Sequence, residues 1–109
     1  MIASPTIPLS GTLSGIVDVS NAKTLGIWVP VITSGQLYLR GSFDQTSANF
    51  VPILTSAGMS AVSSRWYAEV GPGSLGVSFG QELPFPFIML ETSVNQAAVR
   101  SLAVFSKGA

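Results

Sequence analysis

The chain has 109 residues, a length typical of one domain with one modest core. Charged residues make up 9% of the chain, against roughly 25% in an average soluble domain, and five positive charges balance five negative ones. This balance argues against nucleic-acid binding, which needs clustered Lys and Arg. No apolar run is long enough to cross a membrane.

Residues 1–10 predict an extended N-terminal arm, because Pro5 and Pro8 interrupt any regular structure there. Such an arm either lies across a neighbouring subunit or is disordered. The same stretch, MIASPTIPLS, lacks the basic region and the apolar core of a signal peptide, so none is expected.

Residues 11–109 predict a single all-β domain, since no sustained helical periodicity is present and Gly, Pro, Ser and Thr recur throughout. In Thr12–Val19 the alternation puts Leu13, Gly15, Val17 and Val19 on one face. In Thr24–Val29 it puts Leu25, Ile27 and Val29 inward and Trp28 outward. In Gln36–Phe43 it puts Leu37, Leu39 and Gly41 inward and Tyr38, Arg40 and Ser42 outward.

The second half of the chain continues this pattern. Phe50–Leu54 predicts an edge or bulged strand, because Pro52 has no N–H to donate. Phe85–Thr92 is apolar on both faces, as expected of a central strand covered on both sides. Further short strands are predicted at Met59–Val62, Trp66–Val70, Leu75–Phe79 and Val99–Ser106.

About eight strands separated by turn signals indicate an antiparallel β-sandwich of jelly-roll type. With 47% apolar residues, ten charged side chains and a mean hydropathy of +0.51, some apolar surface should remain uncovered. Exposed apolar patches usually mark contact sites, and a net charge near zero favours association. We therefore expect an oligomer or an assembly component; a monomer coated with Ser and Gly is the alternative.

Several kinds of chemistry are excluded by residue type. The chain has no His, so it contains neither a Ser-His-Asp triad nor a His-based zinc site. It has no Cys, which removes disulfides and thiol nucleophiles. The five carboxylates are isolated in sequence, whereas glycoside hydrolysis needs two that face each other. We therefore predict no enzyme activity, no catalytic residues, no cofactor and no metal.

Two motifs have a functional and a structural interpretation. GPGSLG, from Gly71 to Gly76, matches a dinucleotide-binding fingerprint, but a strand rather than a helix follows it, which favours a loop between strands. Asp44, in the turn after the strand LYLRGS, is a candidate Ca²⁺ ligand, but capping of the turn is the favoured role for a single carboxylate.

The aromatic side chains are candidates for an interface or for a sugar-stacking platform, and the interface is favoured. The platform would use Trp28, Tyr38, Trp66 and Tyr67, although Trp66 and Tyr67 face opposite ways on a strand, so that one of them should be in the core. The predicted interface residues are Ile2, Pro5, Ile7, Pro8, Trp28, Tyr38, Phe85 and Phe87.

Three stretches carry a resemblance that covers most of the chain: SGTLSGIVDVSNAKTLGIWVP, LYLRGSFDQTSANFVPI and LPFPFIMLETSVNQAAVRSLAVFSKG. Together they resemble small β-sandwich structural proteins of tailed bacteriophages. The second and third are also similar to discoidin-type, galactose-binding-like jelly rolls, although the turn at residues 44–47 has no Gly and the strand FPFIMLE lacks flanking arginines.

The phage resemblance implies a virion protein on the head, most specifically a capsid decoration or cement protein. Its expected partners are the major capsid protein or another virion protein, together with copies of itself, as a trimer. The alternative is a carbohydrate- or host-surface-binding module of a head fibre or tail.

Overall fold

The computed structural model describes residues 2–53, 65–71, 73–79 and 85–107. In this part of the chain the only helical element is a 3-10 turn at Ser47–Asn49. The ten strands are β1 (Thr6–Ile7), β2 (Val17–Asp18), β3 (Thr24–Val29), β4 (Gly35–Ser42), β5 (Val51–Pro52), β6 (Tyr67–Val70), β7 (Leu75–Phe79), β8 (Phe87–Thr92), β9 (Arg100–Ser101) and β10 (Ala103–Lys107).

All strand pairs are antiparallel, and most of the strands belong to two sheets. The front sheet has the order β10-β3-β7, and the back sheet has the order β2-β8-β4-β5. β6 pairs with β4 on the same edge as β5, but with the first half of that strand. A short pair, β1-β9, continues the line of β10, because β9 and β10 are separated only by Leu102.

The core lies between the two sheets and takes side chains from both. The front sheet contributes Leu25, Ile27, Val29, Phe79 and Val104, and the back sheet contributes Leu37, Leu39, Ile88 and Leu90. Burying one such side chain contributes about 1.5–3 kcal/mol. The predicted all-β sandwich is confirmed, whereas its jelly-roll type is not established by this strand order.

β3 shows most directly how the sequence specifies a sandwich strand. In TLGIWV the apolar residues Leu25, Ile27 and Val29 are buried and Trp28 is exposed, as predicted. A period of two places alternate side chains on opposite faces of a sheet.

The N-terminal segment is not a free arm, which corrects the prediction for residues 1–10. Ala3 forms a bridge with Val104, and the Leu102 N–H donates to the Pro5 carbonyl oxygen. Ile7 pairs with Arg100, and its side chain is completely buried. The segment thus covers the edge formed by β9 and the start of β10. Its backbone satisfies hydrogen-bonding groups of that edge, and its apolar side chains are buried there.

A β-bulge interrupts the pairing of residues 12–18 with β8 and corrects the predicted facing of that strand. Leu13 is paired with Glu91 and Val17 with Ile88, so three residues lie opposite two. The Ser14 hydroxyl accepts a hydrogen bond from the Leu90 N–H at 2.9 Å. Because an extra residue exchanges the two faces, Leu13 is exposed while Val17 and Val19 are buried.

The hairpin from β4 to β5 largely follows the prediction. Leu37, Leu39 and Gly41 are buried, and Pro52 lies on an edge strand. Ser42 has the predicted outward parity, since it pairs with Phe87, but it is buried, and its hydroxyl accepts a hydrogen bond from the Asp44 N–H in the turn that follows. The strand predicted at Met59–Val62 lies outside the described residues.

In the described part of the chain, the eight predicted strands other than Met59–Val62 become ten strands for two reasons. The N-terminal segment supplies β1, and the last predicted strand is divided at Leu102 into β9 and β10. Leu102 itself is fully buried, and its N–H bonds to the N-terminal segment.

The buried Gln96 joins four parts of the chain at one end of the sandwich. Its side-chain oxygen accepts hydrogen bonds from the Thr33 N–H and from Arg100, and its amide nitrogen donates to Thr92. Its backbone N–H donates to the carbonyl oxygen of Gly11. A buried polar side chain is tolerated when its partners are present, so Gln96 fixes the loops around it.

The GPGSLG stretch connects β6 to β7, as the loop interpretation predicts. Gly71 has φ 77°, a left-handed conformation that favours glycine. A Cβ there would lie 2.6 Å from the Ser34 Cα.

In the described part of the chain, no helix has the length and apolarity needed to cross a bilayer.

Candidate functional site

The outer surface of the front sheet is the most apolar candidate site. We define the front face as the six outward residues in two cross-strand rows: Ala103, Trp28 and Gly76 in the first row, and Phe105, Gly26 and Ser78 in the second. Each row runs across β10, β3 and β7. None of the six residues is charged; Lys107 follows in the next row of β10, paired with Thr24.

Two aromatic side chains stand above this face. Trp28 is 46% exposed and Phe105 is 41% exposed, although both are large apolar groups. Between them lies a shallow groove of about 320 Å³, with Gly26, Gly76, Val77 and Ser78 in its lining. The small residues of the front face let another surface approach the backbone closely, and the aromatic rings provide contact area.

The outer surface of the back sheet has charged side chains as well as the exposed Val51 and Tyr67. Glu91 forms salt bridges with Arg40, at 3.2 Å, and with Arg65. The Arg65 guanidinium lies 4.1 Å from the centre of the Tyr38 ring. Gln36 donates to Glu69 across β4 and β6. This polar network suits contact with water, so the two outer surfaces of the sandwich are chemically distinct.

A second apolar contact lies at the end of β4. Phe43 is 75% exposed, and its ring meets that of Phe85 edge to face at 5.0 Å between centroids. Phe85 packs over Gly41, where a Cβ would lie 2.2 Å from the ring. Gly41 is therefore needed for the position of Phe85 and, through it, of Phe43.

A deeper groove of about 440 Å³ lies beside the N-terminal segment. Its lining includes Ile2, Ile16, Val17, Asp18 and Asn21. The carboxylate of Asp18 accepts hydrogen bonds from the Ser20 hydroxyl and the Ser20 N–H. These two bonds hold the pKa of Asp18 below its ordinary value. A carboxylate that is ionised and already bound to its own turn is poorly suited to act as a general acid.

Asp44 caps the turn, which confirms the favoured interpretation of this residue. The Thr46 N–H and the Asn49 side chain donate to its two carboxylate oxygens, at 2.9 Å and 3.0 Å. The pKa of Asp44 is lowered mainly by the hydrogen bond from the Thr46 N–H and next by the one from the Asn49 side chain.

Among the described residues, no group of three or more potential metal ligands comes together.

The predicted interface residues have different environments. Trp28 belongs to the front face, and Ile2 and Pro8 are exposed near the N-terminus. Tyr38, Phe85 and Phe87 are half-buried on or beside the back sheet.

The prediction that Pro5 and Ile7 form an interface is wrong. Both are buried within the chain and offer no surface to a partner. The physical reason is the pairing of their segment with β9 and with the residues next to it.

The predicted aromatic platform is divided between different surfaces. Trp66 packs edge to face on Phe79, with ring centroids 5.2 Å apart, and against the core. Tyr67 is exposed on the back sheet opposite Tyr38, while Trp28 is on the front sheet. Of the adjacent pair expected to face opposite ways, Trp66 is partly buried against the core and Tyr67 is exposed.

Sequence reasoning missed Phe105, Gly26 and Gly76 as members of one surface. The alternation in the last strand places Phe105 on the face opposite the buried Leu102 and Val104. Alternation within one strand carries no information about its register with a neighbour. The register that aligns Phe105 with Gly26, and Trp28 with Gly76, is a property of strand pairing.

Comparison with known proteins adds no family to this description. No protein-family model, no curated protein and no solved structure matches the chain.

Proposed function

We propose that this chain is a non-enzymatic structural protein of a tailed-bacteriophage virion, specifically a capsid decoration or cement protein that stabilises the head shell through subunit contacts. The proposal includes the jelly-roll type of the sandwich, by resemblance. Its partners are the major capsid protein or another virion protein, and copies of the same chain.

The uncharged front face is the single observation that carries this proposal. Exposed Trp28 and Phe105 above small residues form a surface that binds better to polypeptide than to water. Binding through apolar contacts requires neither His nor Cys, and the sequence contains neither. The resemblance to phage structural proteins provides the virion context.

A carbohydrate- or host-surface-binding module of a head fibre or tail is the second candidate. It is favoured by the same observation, because exposed aromatic rings beside a shallow groove suit stacking against a sugar. Sugar hydroxyls, however, also need hydrogen-bonding side chains, and the six front-face residues offer only two such groups, the Ser78 hydroxyl and the Trp28 indole N–H. A protein partner therefore fits this surface better.

Particle fractionation tests the first candidate. Virions produced by the organism that encodes the chain are banded on a density gradient, and the chain is detected by antibody and localised by immunogold imaging. We expect the chain to band with the particles and the label to lie on heads. Absence from the particle fraction overturns the proposal, and label on tails with a positive glycan array supports the second candidate.

A further inference from the structure

The front face has a pattern of large and small residues that complements itself. In the first row the aromatic residue is Trp28 on β3, between Ala103 and Gly76. In the second row the aromatic residue is Phe105 on β10, beside Gly26 and Ser78. Each row therefore has one large side chain, and the two large side chains lie on different strands.

We propose that the front face binds a second copy of this chain about a twofold axis that lies between the two sheets and runs across the strands. This rotation keeps each strand over its equivalent and exchanges the two rows. Trp28 then lies over the partner's Gly26, and Phe105 lies over the partner's Ala103. Gly76 lies over the partner's Ser78, so that every aromatic ring meets a small residue.

This arrangement satisfies the packing rules for stacked sheets. Sheets that pack face to face lie about 10 Å apart, with strand directions nearly aligned. Large residues opposite small ones fill that space without voids or clashes. A twofold axis along the strands is less favourable, because it would place Trp28 over the partner's Trp28. The contact is isologous, with the same patch used by both subunits.

Charge and area determine which occupant fits the face. The six residues carry no charge, so within the two rows a copy meets no like-charge repulsion. The charged Lys107 lies one row beyond them on β10, paired with Thr24, at the rim of the contact. Three strands of about five residues span roughly 14 by 17 Å. This area is well below the roughly 800 Å² per partner of a standard stable interface, so the dimer should be weak and reversible.

The test is sedimentation velocity of the full chain from about 1 μM to about 300 μM, a range that brackets a weak interface. We expect monomer at the low end and a growing dimer fraction at the high end. In Gly76→Val the new side chain faces the partner's Ser78 and separates the sheets. We expect it to weaken dimerisation at least about tenfold.

Gly76→Val should still fold, because a Cβ at Gly76 meets nothing within 4 Å. A valine beside Trp28 on the neighbouring strand is also a favourable cross-strand pair. The matched control is Gly15→Val, since Gly15 is likewise free of contacts within 4 Å and lies near the back sheet. Thermal unfolding of both variants checks that the fold is intact.

Gly15→Val should dimerise like the unmodified chain. Trp28→Ser provides a second test. It removes the larger of the two aromatic contacts without filling the groove, so it should also weaken dimerisation. A chain that stays monomeric at 300 μM would overturn the dimer, and so would equal weakening by Gly76→Val and Gly15→Val. Higher oligomers that Gly76→Val leaves intact would place self-association on another surface.

The dimer deepens the proposed function by naming one occupant of the contact face, in place of the trimer that the phage resemblance implies, and it rests on the premise that the chain acts through protein contacts. In the dimer the second copy covers the front face, so the shell is bound through another surface, and two copies of that surface could bridge two shell subunits. The two experiments fail separately. A monomer found in virions refutes only the dimer, and a dimer absent from virions refutes only the virion role.

Discussion

Two aspartates at the ends of strands use their carboxylates to hold turns. Asp18 binds Ser20 after β2, and Asp44 binds Thr46 and Asn49 after β4. Both residues are preferred in turns because a short carboxylate reaches backbone N–H groups two residues ahead. The pKa of each is lowered by these hydrogen bonds, which favour the ionised form.

Asp44 should therefore contribute to the pH dependence of stability. A carboxyl pKa that is lower in the folded than in the unfolded state stabilises the fold above the unfolded value, about 3.9. That stabilisation is lost as the pH falls through the folded value. We expect Asp44→Asn to lower the melting temperature near pH 7, and the difference from the unmodified chain to shrink below about pH 4. Melting curves that stay parallel down to about pH 2 would contradict this role.

At the scale of the strand, a single inserted residue changes the facing of a whole segment. Between Leu13 and Val17 the bulge moves the buried positions by one, and the Ser14 hydroxyl satisfies the Leu90 N–H that the bulge leaves without a strand partner. A strict alternation could not reveal this, because Leu13 and Val17 have the same parity in sequence. Bulges are set by pairing with a partner strand and are not visible in one strand alone.

The N-terminal strand should be part of the folding unit. Ile7→Ala removes a fully buried side chain, and we expect a loss of about 2–5 kcal/mol in the free energy of unfolding. The matched control is Leu9→Ala, two residues away, whose side chain is 60% exposed and should cost little. Urea denaturation measures both. Equal and small effects would indicate an arm that does not pack on its own domain.

For the molecule as a whole, the few charges are distributed unequally. Arg40, Arg65, Glu69 and Glu91 lie on the back sheet or beside it, whereas the front sheet has Lys107 at the end of β10 and no charge in the two rows of the front face. Four of the ten charged residues of the chain thus help to solvate the back sheet. The other sheet is left with exposed aromatic side chains, which is the physical basis of the proposed contacts.

Self-association through the front face should not depend on ionic attraction. Raising NaCl from about 0.05 M to about 0.5 M shortens the screening length to a few ångströms, and we expect no loss of dimer in sedimentation. Sulfate should strengthen the dimer, since it favours apolar burial. Dissociation by NaCl would instead point to a contact made by the charged back sheet.

The sequence by itself determined the fold class and much of the core. Alternation in TLGIWV and in QLYLRG specified the inward residues, because side chains on a strand face two sides by geometry alone. Pro52 indicated an edge strand, since it lacks a donor. The capping role of Asp44 also followed from local chemistry.

Only the tertiary structure decided which distant residues share a surface. Register between β3, β7 and β10 aligns Trp28 with Gly76, and Phe105 with Gly26, across about 50 to 80 residues of sequence. Pairing with β9 and its neighbours buries Ile7, which local sequence cannot distinguish from an arm residue. Facing is a local property of a strand, whereas register and edge pairing depend on partners that lie far away along the chain.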